Sequence, residues 1–142
     1  MKSAIAATLF ALSLAACGQE ESEMMRTPSP EGAKVYFIEP ADGATVTNPV
    51  IVKFGIEGME VAPAGTDKPN SGHHHVLIDT ALEDYESPIP SDETHKHFGK
   101  GQTETQLELT PGEHTLQLIL GDQNHIPHDP AVESESITVT VE

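Results

Sequence analysis

The feature that most constrains the fold is a two-residue alternation of apolar and polar side chains in short runs. Side chains alternate between the two faces of a strand, so each such run has one face to bury. Clusters of Gly, Pro, Asn and Asp separate the runs, and no run has a helical period. Seven runs are therefore predicted to be strands: 34–39, 50–57, 73–80, 94–98, 106–109, 116–120 and 136–141.

This number of strands predicts the fold class. Seven strands with one apolar face each, in roughly a hundred residues, indicate an all-β chain with an immunoglobulin-like β-sandwich. The chain has no Trp and a single Cys, so the Cys and Trp hallmark of antibody domains is missing. The prediction therefore depends on the alternation alone, and an incomplete β-barrel is the alternative.

The first seventeen residues, MKSAIAATLFALSLAAC, are typical of a bacterial lipoprotein leader. Lys2 supplies a positive charge, and the apolar run at 4–16 is too short to span a bilayer comfortably. The run ends in Leu-Ala-Ala before Cys17. We predict a signal peptide at 1–16 and lipidation at Cys17, which provides a membrane anchor. The alternative is an ordinary signal peptide followed by a chance cysteine.

Residues 17–32 are acidic, contain Pro and lack apolar periodicity, so they are predicted to be a flexible tether. The sandwich domain is predicted at 33–142. Gly18, not Asp, follows the cysteine. By similarity to Gram-negative lipoproteins, this favours a lipid-anchored protein of the bacterial cell envelope, on the outer membrane and facing the periplasm.

Charge and missing motifs exclude several function classes. The chain has 23 acidic and 7 basic residues, a net charge of −16. Such a balance disfavours nucleic acid as a partner and favours cations. The sequence has no nucleophile elbow, no zinc-protease helix motif and no Gly-rich phosphate loop. We therefore do not expect an enzyme.

Histidines are unusually abundant, with eight in the chain. Under immunoglobulin-like connectivity, three groups of them meet at one end of the sandwich, among the loops. Histidines two apart on a strand share a face and lie about 6 to 7 Å apart, a spacing that can offer two imidazoles to one ion. The expected metal ligands are His73, His75, His95, His97, His125 and His128.

The residue types also indicate which metal. Imidazole binds Zn, Cu, Fe or Ni, and an all-His site with few carboxylates suits copper or zinc. Divalent copper has the higher intrinsic affinity. Expected auxiliary residues, as oxygen ligands or ring-orienting acceptors, are His74, Asp79, Asp122 and Asp129. His114 follows a turn at the predicted opposite end and is expected to be a packed turn residue.

Several segments together resemble an uncharacterised bacterial family, domain of unknown function 4399. They are EPADGATVTNPVIVKFGIEGM, APAGTDKPNSGHHHVLID, HKHFGKGQTETQLELTPGEHTLQLILGDQNHIPHDP and the final SITVTV. The resemblance covers about residues 35 to 141 and is most specific in GHHH and in the GDQNHIPHDP loop. It implies a small secreted or lipid-anchored domain and no demonstrated activity.

Three functional hypotheses follow. The first is a metal-binding envelope lipoprotein that acts as a copper or zinc chaperone, buffer or sensor. The second is a structural or adhesive immunoglobulin-like module whose His loops bind a protein or a glycan. The third is a metalloenzyme similar to Cu/Zn superoxide dismutase, whose disulfide cannot form in a chain with one Cys.

Overall fold

The computed structural model describes residues 25–142, which form β-strands and no helix. None of these residues belongs to a helix long and apolar enough to cross a membrane. The predicted signal peptide, Cys17 and residues 18–24 lie outside the described residues. The strands are β1 (Lys34–Glu39), β2 (Thr45–Val46), β3 (Val50–Glu57), β4 (Glu60–Val61), β5 (Ser71–Ile78), β6 (His95–His97), β7 (Glu104–Leu107), β8 (Gly112–Gly121) and β9 (Ile137–Val141).

The strands form two sheets, which confirms the predicted all-β sandwich. The smaller sheet has the order β1-β3-β7, and the larger has the order β2-β9-β8-β5-β4 with β6 also paired to β5. Pairing is antiparallel except for β2 with β9 and β4 with β5. Val52 and Phe54 from the smaller sheet share one aliphatic core with Val76, Leu118 and Val139 from the larger.

Alternation places the core residues as predicted. In β3, Val50, Val52 and Phe54 are buried, while Ile51 between them is 44% exposed. Burying one aliphatic side chain stabilises the fold by about 1.5–3 kcal/mol. The predicted strands correspond to β1, β3 and β5–β9. β2 and β4 are not among the predicted strands, since two residues are too few to show a period.

β5 departs from one-sided burial, because all eight of its residues are buried. One face, including Val76, contributes to the core between the sheets. On the other face, Leu77 packs with Ile119 and Ile89 in a second, smaller cluster. The outer face of the larger sheet is therefore covered at β5, and the histidines of this strand lie inside the molecule on both sides.

A short segment before the first strand also packs against the sandwich. Residues 26–29, part of the predicted tether, pair with the chain at 127–130. Ser29 N donates to Asp129 O at 3.1 Å, and Asp129 N donates to Thr27 O at 3.0 Å. We call residues 26–29 the N-terminal arm. The ordered domain thus includes residues ahead of Ala33.

Candidate metal centre

β5 supplies two histidines to one face and one to the other. His73 and His75 share the outer face of the sheet with Leu77, as the strand period requires. His74 has the opposite phase and its ring lies 4.9 Å from that of Phe54, on the core side. His73 and His75 are 1% and 0% exposed. A central strand therefore fixes the first two imidazoles.

β6 supplies the third ring. It pairs antiparallel with β5, in a register that sets His97 opposite His75. The ring centroids of His97 and His75 are 5.0 Å apart, and those of His97 and His73 are also 5.0 Å apart. His97 is half-buried because β6 lies at the sheet edge.

The loop after β8 supplies the fourth ring. The carboxylate of Asp122 accepts hydrogen bonds from Asn124 N at 2.8 Å and Ile126 N at 3.0 Å. His125 N donates to Asp122 O at 2.9 Å. This tight turn holds His125 at a φ of 69°, which is unusual for a residue other than glycine. Its ring is thereby placed 4.8 Å from His97 and 5.0 Å from His73.

These four residues, His73, His75, His97 and His125, are called the His cluster. Their ring centroids lie between 4.7 and 6.2 Å apart. One ring nitrogen each of His73, His97 and His125 lies within 4.8 Å of the other two. His75 joins this group through His73, since their Nε2 atoms are 2.9 Å apart and share a hydrogen bond.

Two glycines leave space for the rings. A Cβ atom at Gly99 would lie 2.3 Å from Cε1 of His97, and one at Gly121 would lie 2.8 Å from Nε2 of His75. Neither distance is possible without displacing a ring. Both glycines are therefore part of the site. Sequence reasoning missed them, although each stands within a few residues of a predicted ligand.

Burial keeps three rings of the cluster uncharged. Loss of solvent, followed by repulsion from neighbouring imidazoles, lowers the pKa of His73 to about 4 and the pKa of His75 to about 2. The same causes lower the pKa of His97. These rings are neutral at pH 7, which is the form that ligates a metal. The negative charge of Asp122 partly opposes the shift at His73.

Some buried ring nitrogens have no hydrogen-bond partner. In the cluster these are Nδ1 of His75 and Nε2 of His97. Buried polar atoms nearly always have a partner, so an unpaired one needs an explanation. Four nitrogens around Zn²⁺ at 2.0–2.1 Å would be about 3.3 Å apart. Nitrogens of His73, His97 and His125 lie within 4.8 Å of one another, so these three are candidate ligands of one ion, and His75 lies beside them through its contact with His73.

The structure does not bring two of the expected ligands, His95 and His128, into the cluster. His95 lies opposite Leu77 in the register of β6 on β5, and its Nδ1 is 2.8 Å from the carboxylate of Asp92. His128 is fully buried and its Nε2 lies 3.2 Å from Ser71 O. Each of these two histidines thus has a hydrogen-bond partner outside the cluster, although Nδ1 of His128 is buried without one.

The expected auxiliary residues also occupy separate places. Asp79 pairs with Nδ1 of His114 at 2.6 Å. Asp129 pairs with the N-terminal arm, and His74 lies on the core side. Asp122 alone supports the cluster, through the backbone of the turn and not through a ring. The cluster lies on the outer face of the larger sheet, where β5 begins, β6 ends and the loop after β8 starts. The loops before β5, after β6 and after β8 meet at this end, which is the end at which the sequence predicts the histidine groups to converge.

Comparison with known proteins gives a family and no relative of known activity. A family model described as a domain of unknown function (DUF4399) matches residues 52–142, a range that contains the whole His cluster. No curated protein matches the chain, and no solved structure matches it.

Proposed function

The chain belongs to the DUF4399 family, and starting from that membership we propose that it binds one copper or zinc ion at the His cluster. The observation that carries the proposal is the convergence of four imidazoles from three separate parts of the chain. Within the cluster, Nε2 of His97 is buried without a hydrogen-bond partner, and such an atom raises the free energy of the folded state. An ion held by that nitrogen would remove the cost.

The ligand types support copper or zinc over other metals. The cluster offers nitrogen only, with no thiolate, thioether or carboxylate among its four members. Hard ions such as Mg²⁺ and Ca²⁺ prefer oxygen, and soft Cu(I) prefers sulfur. Imidazole ligands instead suit a borderline divalent ion. The buried carboxylate of Asp122 and the net charge of −16 favour the positive charge that the ion brings.

Unequal burial supports a carrier or buffer role. His73 and His75 are inaccessible on a central strand, while His97 and His125 are half-buried. An ion would enter and leave past the latter two. Such an arrangement suits a chaperone, buffer or sensor, and we propose binding without turnover.

The decisive experiment is metal titration of protein purified without an affinity tag. Elemental analysis and titration with Cu(II) and Zn(II) should show one ion per chain. His73→Ala, His97→Ala and His125→Ala should each weaken binding, whereas His95→Ala and His114→Ala serve as matched controls and should bind as the native protein does. Binding weaker than about 10 µM, on the order of −7 kcal/mol, to both ions at neutral pH would contradict the proposal.

We also propose that the protein is anchored in the bacterial envelope through Cys17, on the leader pattern given above. In cells, Cys17→Ala should move the protein from the membrane fraction to the soluble periplasmic fraction or block its processing, because two acyl chains provide stable anchoring. Fractionation with immunoblotting measures this. A Cys17→Ala protein that stays as membrane-bound as the native one would refute the anchor.

A further inference from the structure

We infer that the N-terminal arm is part of the metal site, and that it positions His125 through Asp122. This inference rests on the proposed function. It makes two statements that the proposed function does not. Removing the contact between the arm and Asp122 should weaken metal binding, and metal binding should stabilise the docked arm.

The link begins at the carboxylate of Asp122, which is 2% exposed. One oxygen, Oδ1, accepts the backbone N–H groups of Asn124 and Ile126, on either side of His125. The other oxygen, Oδ2, accepts the hydroxyl of Thr27 at 2.7 Å. A single buried side chain therefore joins the arm to the turn that carries a proposed ligand.

Arg26 makes a second link. Its Nε donates to Pro127 O at 3.1 Å, and its Nη2 donates to His128 O. Its guanidinium also lies 5.8 Å from the centre of the Tyr85 ring and 3.6 Å from the carboxylate of Glu86. The arm thus holds both the end of the His125 loop and the segment around residues 85–86.

The segment around residues 85–86 leads to a hydrogen bond with His125. A few residues further along it, Ile89 N donates to His125 O at 2.7 Å. The left-handed backbone of His125 is an unfavourable conformation that persists only where surrounding contacts impose it. Those contacts are the Asp122 turn and the Ile89 N–H bond, and the arm adjoins both. Without the arm, the His125 ring would be less closely held over His73 and His97.

The test measures metal affinity in a matched pair of variants. Thr27→Val removes the hydroxyl at nearly constant volume, and Thr27→Ser keeps it. Titration with Zn(II) and Cu(II) should show roughly tenfold weaker binding for Thr27→Val, the size expected for a residue that supports a ligand. Thr27→Ser should restore most of the affinity. Thr110→Val is the control, since it removes a hydroxyl that contacts His114, outside the site.

A double-mutant cycle then shows whether the effect passes through His125. If it does, Thr27→Val should have little further effect in a His125→Ala background, because coupled residues are not additive. By reciprocity, saturating Zn(II) should slow amide hydrogen exchange at Ser29 and Asp129, whose N–H groups bond across the arm. Circular dichroism of each variant verifies folding.

The outcomes separate the two proposals. Native protein that binds no ion would refute the proposed function itself. Native protein that binds while Thr27→Val binds equally well would overturn only the role of the arm. Three other results would also overturn the role of the arm. The first is that Thr110→Val weakens binding as much as Thr27→Val does. The others are that the losses of affinity from Thr27→Val and His125→Ala add fully in the double variant, or that zinc leaves amide exchange in the arm unchanged.

Discussion

The rings of His73, His75 and His97 are held in the uncharged state by burial. An imidazole removed from water loses the hydration of its charged form, so its pKa falls. Neighbouring rings add to this, because a second positive charge at about 5 Å would repel the first. A set of buried histidines therefore resists protonation to a lower pH than exposed histidines do.

The first prediction concerns the pH dependence of metal affinity. Protons compete with the metal only as the pH approaches the pKa of a ligand. Since the pKa of His73 is about 4 and that of His75 about 2, these two should stay available at pH 5.5. Zn(II) affinity measured at pH 7.5, 6.5 and 5.5 should fall less than for four ordinary histidines. A loss that corresponds to four protons below pH 6.5 would contradict the burial of these rings.

The second prediction concerns His114, whose environment raises the pKa of its imidazole where burial lowers the pKa of His73 and His75. Hydrogen bonds to Asp79 and to Thr110 O raise the pKa of His114. A raised pKa contributes stability that is full below the unfolded value of about 6.5 and is lost as the pH rises through the folded value. His114→Gln should therefore destabilise the protein more at pH 5.5 than at pH 8.5 in urea unfolding. The difference should be below about 1 kcal/mol, because Asp79 is partly exposed.

Metal affinity is the control measurement for this variant. His114→Gln should bind Zn(II) as the native protein does at both pH values. An equal loss of stability at both pH values would mean that the histidine acts through packing and not through its charge.

Residue spacing predicted part of the site. The pairing of His73 with His75 follows from the two-residue period of a strand, and so does the separation of His74 from them. The same period places His95 and His97 on one face, and it does not separate a ligand from a non-ligand. The register of β6 on β5 separates them, since His97 lies opposite His75 and His95 lies opposite Leu77. The choice between His125 and His128 depends on a left-handed residue in a loop, which the period of the strands does not specify.

At the scale of strands, the alternation predicted the core and the surface well. It failed at β5, where both faces are buried. The covering contacts come from Ile89 and from the segment around Leu82 and Tyr85. These are distant in sequence and have no regular period. Tertiary contacts of that kind decide where the His cluster is enclosed, so its place on the outer sheet face could not be derived from the strands alone.

The third prediction compares one buried and one exposed aliphatic residue in strands. Leu118 in β8 is 0% exposed and Ile51 in β3 is 44% exposed. Leu118→Ala should reduce the free energy of unfolding by about 2–5 kcal/mol, because it removes buried surface and leaves a cavity. Ile51→Ala is the matched control and should cost less than about 1 kcal/mol. Urea denaturation measures both, and equal costs would refute the arrangement of the core.

At the scale of the whole molecule, the cluster joins parts of the chain that are far apart in sequence. The strands β5 and β6, the loop after β8 and the N-terminal arm all meet there. The outer face of the larger sheet therefore carries a second buried region, separate from the core between the sheets and formed largely by histidines. We expect ligand binding by those histidines to change the local stability of this second region more than that of the aliphatic core.

The last prediction is that metal binding stabilises the whole fold. An ion that binds only the native state adds RT ln(1 + [L]/Kd) to the free energy of unfolding, about 2.7 kcal/mol at a free concentration of 100 times Kd. Zn(II) should therefore raise the unfolding temperature by several degrees, and a chelator should reverse the rise. His97→Ala should reduce this rise because it weakens binding, and His95→Ala should retain it in full. A rise of equal size in both variants would show that zinc stabilises the protein elsewhere, and an unchanged unfolding temperature in native protein would exclude a tight site.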